Sequence, residues 1–99
     1  MAAEGLHELP EQLPAMVVDR HRAIRSIMEE FEAIDWYDQR ASCTDDEELR
    51  AVLEHNRDEE KEHAAMTLEW LRRRDPVLDR HLRTYLFREG SITELEASE

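Results

Sequence analysis

Glu60 and His63 stand three residues apart in the stretch HNRDEEKEHAAMTLEWL, residues 55 to 71, which puts them one turn from each other on a helix. A carboxylate and an imidazole at that spacing can bind a single cation together. Oxygen and nitrogen donors without a thiolate suit iron, manganese or zinc rather than copper(I) or an iron–sulfur cluster. At about 100° per residue, both lie near the centre of an apolar stripe made by Leu49, Val52, Leu53, Asn56, Glu60, His63, Thr67, Trp70 and Leu71, whereas Glu62 points away from it. An ionised carboxylate in a core stripe is costly unless a compensating charge comes with it. Lys61 or Arg57 at the rim is the ordinary source of that charge, and a metal ion is the other.

A second carboxylate joins them from the preceding helix. Glu30 follows Ile27 by three residues and precedes Ile34 by four, at the edge of that helix's apolar face, while Glu29 and Glu32 project outward. A di-metal site in a helical bundle takes one Glu from each of two helices and one Glu-x-x-His from each of two more. This chain carries half of each count. A two-fold homodimer would complete the set, with paired Glu30, Glu60 and His63 around two divalent ions whose charge offsets that of the carboxylates.

The elements that must position these residues are helical. Leu13, Met16, Val17, Ile24, Ile27, Phe31 and Ile34 recur at helical spacing, predicting a first helix from Pro14 to about Arg40. TDDE at 44 to 47 reads as a capping box, Thr44 with Glu47, that opens a second helix, and Arg72, Arg73 and Arg74 suit the negative end of its dipole. Asp75 and Pro76 restart the chain into a short third helix of Val77, Leu78, Leu82, Tyr85, Leu86 and Phe87 that stops at Gly90. The expected fold is all-α: an antiparallel two-helix hairpin plus a short C-terminal helix, dimerising into a ferritin-like four-helix bundle. Residues 1–13 are expected to be a flexible N-terminus, 14–90 the helical domain, and 91–99 a C-terminal extension in which Ser91 and Glu94 repeat the capping pattern.

Composition bounds the function. Two Gly and three Pro leave little turn chemistry for a sheet-rich fold, and the net charge of −12 repels nucleic acid and favours cations. Cys43 stands alone in a predicted turn, so there is neither a disulfide framework nor a thiolate zinc site, and a cytosolic setting is expected. No apolar run is long enough to span a membrane, and the first residues have neither the basic start nor the apolar centre of a signal peptide. In a chain of 99 residues much of each long helix stays at the surface unless another copy covers it, so oligomerisation is expected. His7, His21, His55 and His81 read as surface or rim residues.

The segments RHRAIRSIMEEFEAIDWYDQR, HNRDEEKEHAAMTLEWLRR and HLRTYLFREGSIT, within residues 20–93, closely resemble the encapsulated ferritins, small ferroxidases carried inside encapsulin shells. The resemblance implies ferroxidase ligands at Glu30, Glu60 and His63 shared across a dimer interface, with two iron ions per dimer that other divalent metals can replace. It places Tyr37 close to that site and an outer metal-attracting site at Glu29, Glu32 and Trp36. It further implies a ring-shaped decamer of five dimers, oxidation of Fe(II) to Fe(III) with dioxygen, and storage of the iron in an encapsulin nanocompartment. Nothing after Ile92 resembles the family's shell-docking peptide. Two other readings remain beside this one: a different di-metal protein of the ferritin-like group that reduces peroxide, and a non-catalytic helical assembly module whose acids only solvate its surface.

Overall fold

A computed structural model describes residues 5–99. Two long helices, α1 (Ala15–Cys43) and α2 (Glu47–Arg74), pack along each other, and a short helix, α3 (Pro76–Tyr85), follows α2. Pro14 caps α1 with its carbonyl oxygen, which accepts from the amides of Val17 and Val18. The helix does not stop at Arg40 as the sequence predicts. It continues through Cys43, because Ala41, Ser42 and Cys43 carry no helix-breaking backbone, and Thr44 then turns extended. Cys43 is thus the last residue of α1, exposed and free, rather than part of a turn.

The capping box predicted at Thr44 and Glu47 does not form. Asp46 is the cap of α2: its Oδ1 accepts from the Leu49 amide at 2.9 Å, while the Thr44 hydroxyl accepts from the Asp46 amide at 3.2 Å. A carboxylate on the residue just before the helix is the stronger acceptor there and sits at the positive end of the dipole. Arg50 closes the hairpin, donating from Nε to the Ala41 carbonyl at 3.1 Å and from Nη2 to the Thr44 carbonyl while its Nη1 pairs with Glu47 at 2.6 Å. One side chain thereby satisfies carbonyls that the end of α1 leaves open.

A single residue separates α2 from α3. Asp75 ends α2 in an extended conformation and caps α3, accepting from the amides of Val77 at 3.1 Å and Leu78 at 3.0 Å, with Pro76 at the first helical position. Arg72 fixes the corner by pairing with Glu69 at 2.7 Å and with Asp79 of α3. The third helix ends at Tyr85, before the predicted stop at Gly90: Leu86 is extended and Phe87 has φ +58 with its ring fully exposed. Both terminal segments carry structure. Pro10–Gln12 forms a 3-10 turn in the segment expected to be flexible, and Gly5 lies so near α1 that an added Cβ would stand 3.1 Å from His21 Cε1. Residues 93–98 form a second 3-10 turn where the sequence shows only an interrupted cap, and Glu99 pairs with His81 of α3.

The single chain is flat and under-covered. Its extents are 49 × 42 × 18 Å and its radius of gyration 17.5 Å, against about 13 Å for a compact domain of this length. It presents 7761 Å² to solvent, where a compact monomer of 11.8 kDa would show about 5,900 Å². Among the described residues only Ala41, Ala64 and Leu71 make up the buried apolar core, while Ile24, Met28, Phe31, Leu49, Val52 and Met66 stand exposed. One layer of helices cannot enclose a core of its own.

Candidate metal centre

The row of α1 that faces α2 runs Ile27, Glu30, Ile34, Tyr37 and Ala41, at alternating steps of three and four. The opposing row on α2 runs Glu60, Ala64, Thr67 and Leu71, with His63 beside it. Glu30 is therefore inside the helix contact rather than at its edge, the position that the sequence reading gave it. Its Oε2 is sealed from solvent and has no hydrogen-bond partner.

Five influences act on that carboxylate. Burial pushes its pKa above the ordinary 4.5, and the nearby Glu60 pushes it further; His63 and the Thr67 hydroxyl oppose the rise, and Glu29 adds to it. Glu30, Glu60 and His63 thus lie within one another's electrostatic reach across the hairpin. His63 Nδ1 is 3.7 Å from Glu60 Oε2, with Glu60 mostly covered and His63 about half exposed. Thr67, one turn past His63, donates its hydroxyl to the His63 carbonyl at 3.1 Å.

The ordinary source of compensating charge is engaged elsewhere. Arg57 pairs with Asp38 of α1 at 2.9 Å and with Asp58 at 3.0 Å, and Lys61 pairs with Asp58 at 3.3 Å. Neither cation that the sequence offers to Glu60 is committed to it. Among the described residues, no group of three His, Cys, Asp or Glu side chains converges within one chain to hold a metal ion. The orphaned Glu30 oxygen and the hard oxygen and nitrogen donors beside it fit a divalent transition metal, though as part of a set that one chain leaves short.

The residues outside this row are arranged differently. Glu29 and Glu32 are exposed on α1, and Trp36, one turn past Glu32, is about half exposed. The Arg40 guanidinium carbon lies 5.8 Å from the ring centres of both Trp36 and Tyr37. Tyr37 shares the inner row with Glu30, two turns and about 10 Å along the axis from it. Sequence reasoning placed Thr67 in the stripe without giving it a role. The available signal was a hydroxyl one turn past His63 in a helix interior, where Thr has little reason to be.

The chain is also similar to known proteins. A profile described as EncFtn-like matches residues 5–89. The chain is similar to an encapsulated ferritin-like protein of Rhodospirillum rubrum, with 61% identity over 99% of this chain and 70% of that protein. It is similar to a ferritin-like protein of Thermotoga maritima, with 54% identity over 95% of this chain and 82% of the relative. An encapsulin nanocompartment cargo protein of Myxococcus xanthus is 43% identical over 61% of this chain, which spans 47% of that protein. A crystal structure of a Nitrosomonas europaea protein superposes with a TM-score of 0.87 at 53% identity, covering 90% of this chain and 98% of that one.

Proposed function

Because this chain belongs to the EncFtn-like family, we propose that it is a ferroxidase, oxidising Fe(II) to Fe(III) with dioxygen at a di-iron site made by two copies of itself. The observation that carries this reading is the buried, unpartnered Glu30 Oε2 beside Glu60 and His63. Native proteins leave few such atoms, and this one is joined by two more hard donors and no engaged cation. The exposed apolar residues and flat form support pairing with a second copy.

In that pair, Glu30 and Glu60 from both copies hold the substrate ions with anionic oxygens, and one His63 from each copy adds a neutral nitrogen. Four carboxylates against two ferrous ions leave the cluster nearly neutral. Each ferrous ion supplies one electron to dioxygen, and hard carboxylate oxygens favour the more highly charged ferric product. Glu29, Glu32 and Trp36 form the outer site, where the negative field concentrates incoming cations. Tyr37 completes the surroundings of the inner site. Five such dimers close a decameric ring, and the oxidised iron passes to storage in an encapsulin nanocompartment in the cytoplasm; the names of the Rhodospirillum and Myxococcus relatives, one encapsulated and one an encapsulin cargo protein, support the encapsulation alone.

The test is oxygen consumption and ferric formation with ferrous iron, in wild type and in Glu30→Ala, Glu60→Ala and His63→Ala. Each variant should lose most of the activity. Wild-type rates in all three would remove the proposal.

A further inference from the structure

Phe87 carries two costs at once. Its backbone has φ +58, a conformation that suits glycine and not a bulky side chain, and its ring is fully exposed to solvent. It follows Leu86, the residue that ends α3, at the position where helices commonly place glycine. Strain of this kind persists where something gained elsewhere outweighs it.

Beside it runs a groove of about 630 Å³ between α2 and α3, walled by Ala65, Leu68, Leu82, Leu86 and Phe87 itself. The charges at its rim are already engaged: Arg72 pairs with Glu69 at 2.7 Å and with Asp79, and Arg83 pairs with Asp79 at 3.0 Å. The groove therefore suits an apolar occupant rather than an anion. At about 100° per residue, His63 lies to one side of the α2 row that faces α1, and Leu68 and Ala65 lie to the other. A copy docked here is thus not the copy that shares the metal centre. The exposed area has room for both: 7761 Å² exceeds the roughly 5,900 Å² of a compact monomer of 11.8 kDa by about 1,900 Å², and a standard contact takes about 800 Å² from each partner.

We propose that this groove is a second self-association surface, in which Phe87 of each copy enters the α2–α3 groove of the other across a two-fold axis. A knob and its socket on one patch are self-complementary under that symmetry. A buried aromatic ring in an apolar pocket is the kind of anchor on which such contacts depend. No metal takes part, so this pairing stands whether or not Glu30, Glu60 and His63 bind ions. Where both pairings form, each chain uses its two flanks on two different neighbours, and metal-bridged dimers are joined through Phe87.

Sedimentation velocity of the metal-stripped protein tests this. Wild type should sediment with twice the mass of the 11.8 kDa chain. Phe87→Ser should fall to a single chain with unchanged helix content by circular dichroism, because the ring packs on nothing within its own fold. Ala65→Phe, which fills the groove from its own wall, should fall likewise. Glu30→Ala should keep the wild-type mass. A single chain in wild type, or the paired mass in Phe87→Ser or Ala65→Phe, would overturn the inference; loss of pairing in Glu30→Ala would move the contact to the metal face and overturn it too. Anilinonaphthalene sulfonate should bind the open groove of Phe87→Ser and not the paired wild type. Equal binding of that dye to both, with equal masses, would make the groove a small-molecule site instead.

Discussion

Replacing Glu30 by Gln should move stability in opposite directions with and without metal. In the metal-free chain the carboxylate carries a sealed oxygen with no partner and faces the charge of Glu60, and its pKa is raised above 4.5, by burial first and by Glu60 second. A carboxyl whose folded pKa is raised costs stability when ionised. That cost is absent below the unfolded pKa, grows as the pH climbs from there to the raised folded pKa, and is fully present above it. Gln keeps the shape, removes the charge and can donate its amide to Glu60. An unsatisfied buried polar group costs about 1–3 kcal/mol, and the partial exposure of Glu30 argues for the low end, about 1 kcal/mol. In a domain of this size that is a rise of about 4–8 °C in Tm. Metal reverses the order: a ligand at a hundred times its Kd adds about 2.7 kcal/mol to a chain that binds it, and the Glu30→Gln variant forgoes most of that gain. The assay is thermal unfolding by circular dichroism at fixed chain concentration, at pH 4 and pH 7.5, with and without cobalt(II). A metal-free variant less stable than wild type at pH 7.5, or one that gains as much from cobalt, would refute this reasoning.

Other perturbations separate parts of the fold. Asp46→Ala removes the cap of α2 and should cost about 1 kcal/mol in chemical denaturation, whereas Thr44→Ala should cost clearly less; the reverse order would restore the capping box that the sequence suggested. Arg72→Ala should speed hydrogen exchange in residues 76–85 while leaving the α1–α2 contact protected, since its pairs with Glu69 and Asp79 tie the corner. Those same pairs hold Glu69 down at about 2 and Asp79 below its usual range. Stability from depressed carboxyls is present above their unfolded pKa and lost as the pH falls through the folded one. Protection of the α3 amides, measured against the intrinsic exchange rate at each pH, should therefore fall in acid below about pH 4, and an unchanged protection would show the pairs to be idle. Phe31→Ser should weaken self-association measured by sedimentation, because the ring is 59% exposed in the single chain.

The long helices were legible because their apolar residues recur with a helical period, and Arg72, Arg73, Arg74 and Pro76 mark the end of one helix and the start of the next. Boundaries were less so. Thr44 and Asp46 both suit a cap, and only the extended turn between the helices decides that the carboxylate of Asp46 meets the Leu49 amide. Phe87 continues the apolar pattern of α3, yet its backbone turns left-handed and leaves the ring outside. Such a choice depends on tertiary surroundings that local spacing does not encode. At the centre, Glu60 and His63 could be read from their position in the stripe. The inner placement of Glu30, its open oxygen and the diversion of Arg57 to Asp38 needed the two helices to be brought together.

Anomalous diffraction from crystals grown with cobalt(II) tests the central claim most directly. The account predicts two ions between facing hairpins, each held by Glu30, Glu60 and His63 drawn from both copies. Metal bound by one hairpin alone, or these three side chains free of any ion, would contradict it.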